Sequence, residues 1–188
     1  MAVLPIRISG DPVLHSAALP VTKFDRSLTT LVADMFDTMT AAPGVGLAAP
    51  QVGVPLRLFV YNWTDDNDVL RRGTAINPEL WITPTPTGVS DEEAESEGCL
   101  SIPGERYGLR RSPQAILRGT ELDGTPFEIS TEGWLARIFQ HEFDHLDGIL
   151  YADRLDYVSA KTVGKVLKKR GWGVPDQSWT PGIDHLED

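Results

Sequence analysis

The chain has 188 residues, 41% of them hydrophobic, enough for one ordinary globular domain whose core needs no covalent staples. Its 27 acidic and 17 basic side chains give a formal charge of −10, which disfavours broad adhesion to DNA, RNA or anionic lipid. A single cysteine, Cys99, excludes an intrachain disulfide and fits a reducing compartment, read here as the cytoplasm.

The opening stretch, MAVLPIRISGDPVLH, carries Arg7, Asp11 and two prolines where a signal peptide needs an unbroken apolar run, so no export signal is read. Between Asp25 and Ala41 the residues Leu28, Leu31, Val32, Met35, Phe36 and Met39 recur at three and four, predicting an amphipathic helix that Pro43 stops. Next, Val45 to Tyr61 is the most apolar region. It is broken by Pro50, Gln51, Pro55 and Arg57, short of the roughly 18 consecutive apolar residues of a membrane span. It reads as a loop or extended edge and then a buried strand from Leu56 to Tyr61, with Asn62 to Gly73 a polar, hairpin-like connection.

Further strands are expected at Thr74 to Ile76, Gln114 to Arg118 and Phe127 to Ser130, the last two joined through the Asp123-Gly124 turn signal. The acidic run Asp91 to Glu97 reads as a solvated loop. From Glu132 to Leu146 a second helix is predicted, with Thr131 as its N-cap; Trp134, Ile138, His141 and His145 share one stripe of it. A third helix is expected from Val158 to Lys169, closed by Gly171 and Gly173 and followed by a Trp- and Pro-containing tail. The fold class is therefore α+β: antiparallel sheets around a central helix, with an N-terminal and a C-terminal helix. Residues 1–171 are assigned to one domain and 172–188 to a tail extension.

The stretch QHEFDHLDG carries the chemistry. Residues four apart on a helix project from one face, so His141 and His145 can meet one ion, while Glu142 is offset enough to reach a water beside it. A third protein ligand is needed if one position is to stay open for solvent. Peptidases that extend this motif use a third histidine where this chain has Tyr151, and no glutamate lies between Glu142 and Glu187. Asp153 and Asp156 remain conceivable ligands, which would make a zinc peptidase. The upstream thiol of Cys99, in EGCLS, is the better candidate, although a lone cysteine is most often a small buried hydrophobe. A non-catalytic protein carrying a structural metal is the third reading.

Three segments in order, Gly44-Val45-Gly46-Leu47-Ala48-Ala49-Pro50-Gln51, Glu97-Gly98-Cys99-Leu100-Ser101 and His141-Glu142-Phe143-Asp144-His145, resemble the three motifs of peptide deformylases. The resemblance runs from IRISGDPVLH through DHLDGILYADRL and leaves the tail from about Trp172 outside it. It implies hydrolysis of the formyl group from the formyl-methionine terminus of new polypeptides, with one divalent metal held by Cys99, His141 and His145. The family's metal is usually Fe²⁺, with Zn²⁺, Ni²⁺ or Co²⁺ able to take its place, and an iron–thiolate site predicts sensitivity to oxygen. An ion there brings its water toward neutrality to supply hydroxide, and Glu142 accepts the proton and returns it to the departing amine. By the same resemblance, the Gln51 amide and the Leu100 backbone N–H donate to the developing oxyanion.

The substrate-binding set is Gly44, Val45, Gly46, Gly98 and Ile138. The small residues allow a substrate strand to pair beside Val45, while an unbranched methionine side chain enters an apolar pocket. Trp134 and Ile138 are candidates for its wall, with a plain core position as the alternative for either, and Arg137 is expected near its mouth. A bridge from Arg106, Arg110 or Arg111, with Arg111 favoured, to Asp144 or Glu97 would tie the two metal-bearing segments together. Lys161, Lys165, Lys168, Lys169 and Arg170 form a basic segment on an acidic protein and suggest a weak contact with ribosomal RNA.

Overall fold

The computed structural model describes residues 2–65 and 67–186. In chain order the elements are β1 (Ile6–Arg7), α1 (Arg26–Ala41), β2 (Gly46–Ala48), β3 (Leu58–Thr64), β4 (Leu70–Ile82), β5 (Ser96–Cys99), β6 (Ile102–Gly108), β7 (Gln114–Thr120), β8 (Pro126–Glu132), α2 (Gly133–Leu146), α3 (Tyr157–Arg170) and β9 (Ser178–Trp179). Short 3₁₀ turns follow β2 at Ala49–Val52 and α2 at Tyr151–Arg154. The class is α+β, as the residue pattern predicts.

A five-stranded antiparallel sheet, ordered β2-β3-β4-β7-β8, carries helices on both faces. Alternation along β3 explains why it is apolar at four consecutive positions, Leu58 to Tyr61. Leu58 and Val60 pack with Leu28, Val32, Met35 and Met39 of α1, while Phe59 and Tyr61 pack with Leu135, Ile138 and Phe139 of α2. Helix α1 starts where the Asp25 carboxylate accepts from the Ser27 and Leu28 N–H groups, a cap worth about 1 kcal/mol. Against its other sides α2 meets the β5–β6 hairpin and the turn at Tyr151–Arg154, so it is buried nearly all round.

Three expectations are corrected. The segment expected as a polar connection contains the ends of two strands, β3 running to Thr64 and β4 starting at Leu70, and Thr64, Arg71 and Arg72 are exposed there because the hairpin runs out beyond the core. Strand β4 also runs on past Ile76. Asn77 adopts φ +49° in a bulge before Pro78, its side chain holding both the N–H and the C=O of Val21, and the ladder resumes at Glu79. Helix α2 begins at Gly133 with Glu132 in the cap position and no side-chain cap, because Thr131 is still paired with Ala115 in the β7–β8 ladder.

The acidic run is a solvated turn only as far as Glu95. Its last residues enter β5, whose alternation buries Glu97 and Cys99 on one side. Tail residues Ser178 and Trp179 pair with β1, and the Trp179 side chain is buried with Ile6, Ile8 and Ala42.

Candidate metal centre

Two elements bring the donors together. On α2 the four-residue spacing stacks His141 above His145, with Nε2 atoms 3.2 Å apart. On β5 the register against β6 shifts between Gly98 and Cys99, and this irregularity turns the Cys99 sulfur to within 3.2 Å of His145 Nε2. All three ligand atoms lie within 4.8 Å of one another and all three residues are buried. A tetrahedral ion with ordinary Zn–N and Zn–S bonds would separate its donors by about 3.3–3.6 Å, so the triangle is close to the size of its guest.

The electrostatics favour a cation. Glu97 Oε1 sits 2.7 Å from His141 Nδ1, which fixes the proton there and turns the Nε2 lone pair toward the centre. Burial pulls His141 down, but the hydrogen bonds and charges of Cys99 and Glu97 outweigh it and hold the ring well above its ordinary range. Burial and the neighbouring His141 push His145 well below.

Behind the triangle stands a saturated ionic brace. Glu97 accepts from Arg111 Nη2 at 2.5 Å and Nε at 3.1 Å, and from Arg137 Nη1 at 3.0 Å. Arg111 Nη1 also donates to Asp144 at 2.5 Å, and Asp144 accepts twice more from Arg154. Although burial acts against its charge, His141 and Arg111 hold Glu97 far below the usual carboxylate range. Arg111 is therefore the bridge between β5 and α2. Arg137, expected at the mouth, borders the cleft but turns its guanidinium inward to Glu97 and the Leu109 carbonyl.

In front, the arrangement is the reverse. Burial lifts Glu142 to about 7, and its Oε2 has no hydrogen-bond partner among the described residues. Its Oε1 occupies the space that a side chain on Gly46 would need: a Cβ there would come within 2.2 Å. Gln51 Oε1 accepts from the Ala48 N–H at 2.8 Å, which aims Nε2 inward, 3.4 Å from Ser101 Oγ and 3.7 Å from the sulfur. A cleft of about 500 Å³ opens over these groups, bordered by Gly44, Val45, Gly98, Leu100, Ile138 and Trp134.

Asp153 and Asp156 are engaged elsewhere, Asp153 on the Leu150 N–H and Asp156 capping α3, so the peptidase ligand set does not assemble. Tyr151 instead stacks on the His141 ring and donates to the Glu105 carbonyl.

A soft three-donor set beside a buried carboxyl whose Oε2 has no partner among the described residues is the equipment of a metal-dependent hydrolase. Comparison with known proteins narrows the class. The polypeptide deformylase family model matches residues 3–161. A peptide deformylase of Rhodococcus opacus is 48% identical over 186 residues, covering 97% of this chain and 95% of the relative. Among solved structures, a peptide deformylase from Legionella pneumophila superposes with a TM-score of 0.77 at 39% identity, covering 90% of this chain and 96% of that one. One from Ehrlichia chaffeensis in complex with actinonin gives 0.76 at 35%, covering 90% and 98%. The chain belongs to the polypeptide deformylase family.

Two further residues of the site are Glu97 and Ser101. Glu97 was hidden in a charge run, though its two-residue spacing from Cys99 would place both on one side of a strand. Ser101, buried and facing Gln51, carried no signal beyond its neighbourhood.

Proposed function

We propose that Cys99, His141 and His145 hold one divalent ion, and that Glu142, Gln51 and the Leu100 N–H carry out the family's reaction, removal of the N-formyl group from newly made polypeptides. The observation that supports this most is that one cleft over the donor triangle is lined both by Glu142, whose Oε2 has no hydrogen-bond partner among the described residues, and by Gln51, whose Nε2 lies 3.7 Å from the sulfur. When bound, the ion supplies Lewis acidity that brings water near it toward neutrality.

The chain does the rest. Glu142, lifted to about 7, can take a proton from water and hand it to the departing amine without a large penalty either way. The Gln51 Nε2 and the Leu100 N–H donate to the carbonyl oxygen as it gains charge, an effect worth about 3 kcal/mol for one such donor. The Val45 and Gly46 backbone at the edge of the sheet receives the substrate as an added strand. Gly44, Gly98 and Ile138 border the space for an unbranched first side chain, which suits methionine.

From the family resemblance we assign Fe²⁺ as the ion, with Zn²⁺, Ni²⁺ or Co²⁺ accepted, a range that the mixed thiolate and imidazole set accommodates, and the cytoplasm as the compartment. No helix among the described residues is long and apolar enough to cross a membrane. Exposed Lys161, Lys165, Lys168 and Lys169 on α3 suit a weak, salt-sensitive contact with ribosomal RNA. Ribosome cosedimentation that is lost between low and physiological salt is the expected result, and none at low salt would exclude the contact.

The test of the whole reading is formate release from a formyl-Met peptide by anaerobically purified protein, with metal analysis of the same sample. Cys99→Ala should lose both metal and turnover. Retention of both by that variant would overturn the assignment.

A further inference from the structure

The tail from Trp172, outside the span that the family model matches, reaches the cysteine segment directly through Trp179. Trp179 Nε1 donates to the Leu100 carbonyl at 2.8 Å. That carbonyl belongs to the same planar peptide unit as the Ser101 N–H, which points the opposite way and donates to the Cys99 sulfur at 3.4 Å. Its indole is 1% exposed, fixed among Ile6, Ile8 and Ala42, with β9 paired to β1. A second contact steadies the next unit: the Ser9 N–H donates to the Ser101 carbonyl, while the Ser9 carbonyl accepts from the tail at Gly173.

We infer that Trp179 is a positioning residue for the cysteine segment, holding and polarising the Leu100–Ser101 peptide so that its N–H stays on the sulfur. A donor on a thiolate draws charge from it and tunes whatever metal the thiolate binds. Accepting at the carbonyl strengthens the N–H at the other end of the unit. The Leu100 N–H, assigned to the oxyanion, lies in the preceding unit and is oriented through the same residue. This inference rests on Cys99 being a metal ligand.

The test uses the full chain loaded with Co²⁺, reading the thiolate-to-cobalt charge-transfer band together with kcat and KM for a formyl-Met peptide. Trp179→Phe keeps an aromatic ring and removes the N–H. Replacing Trp179 by benzothienylalanine swaps N–H for sulfur at nearly constant shape, and decides alone if Trp179→Phe does not fold. Trp172→Phe, also in the tail, is the control. Both changes at 179 should move the band and lower kcat about fivefold, with KM within about twofold. Trp172→Phe should leave the band in place. An unmoved band in a folded Trp179 variant, or an equal shift in Trp172→Phe, would overturn the inference while leaving the metal site standing. No thiolate band in the unsubstituted protein would instead sink the ligand assignment itself, and the inference with it.

Discussion

Two glutamates on opposite walls of the centre are equally buried, each 4% exposed, yet they are driven in opposite directions. Glu97, on the back wall, accepts from two arginines and a histidine and is held far below its ordinary range; Glu142, on the front wall, meets no donor at Oε2 among the described residues and is lifted to about 7. Burial alone raises a carboxyl pKa, and what reverses the sign is the number of fixed donors. The back wall is therefore a permanent anion that braces structure. The front wall carries a carboxyl lifted to about 7, which suits the proton exchange proposed for it.

The largest effect expected from breaking this contrast is at the front. Glu142→Gln keeps the shape and removes the proton carrier, so kcat should fall by about 10²–10⁴ while metal content is retained. A loss of less than tenfold would remove Glu142 from the chemistry. At the back, Arg111→Met leaves Glu97 and Asp144 buried with fewer partners, and should cost about 3–5 kcal/mol in denaturant unfolding. An unchanged midpoint would show that the brace is dispensable.

A smaller effect should follow from Gly46→Ala. The added Cβ would come within 2.2 Å of Glu142 Oε1, so the carboxyl must move, and a displacement of that kind costs on the order of 10²-fold in rate with little change in stability. Full activity in that variant would mean that the glutamate works from another rotamer. The smallest effect concerns pH. In metal-free protein, Glu142 keeps its proton up to about 7, whereas the unfolded chain releases it near 4.5. The native state thus binds more protons across that window, and its stability falls as pH rises through it. Glu142→Gln removes this slope, so the variant should gain on the unsubstituted protein between pH 4.5 and about 7. A gap that is constant with pH would contradict the lifted pKa.

What was legible in the sequence follows the range of the forces involved. Helix α1 and the histidine stripe of α2 are local, written in a period of 3.6, and were readable to within a residue. The length of β4 was not, because Asn77-Pro78 is a breaker by local rules and only pairing with β7 carries the strand beyond it. Glu97 sits in an acidic run that by itself favours water. Its burial depends on arginines 14 and 40 residues away, of which Arg111 was anticipated as a bridge and Arg137 was not. Trp179 illustrates the limit: its contact with the Leu100 carbonyl spans 79 residues and has no local signature.

The central claim is that one sulfur and two imidazole nitrogens bind a single ion between these two walls. X-ray absorption at the metal edge of the loaded protein tests it most directly. One sulfur scatterer at about 2.3 Å and two imidazole nitrogens at about 2.0–2.1 Å are predicted for zinc. A spectrum with no sulfur in the first coordination sphere would contradict it.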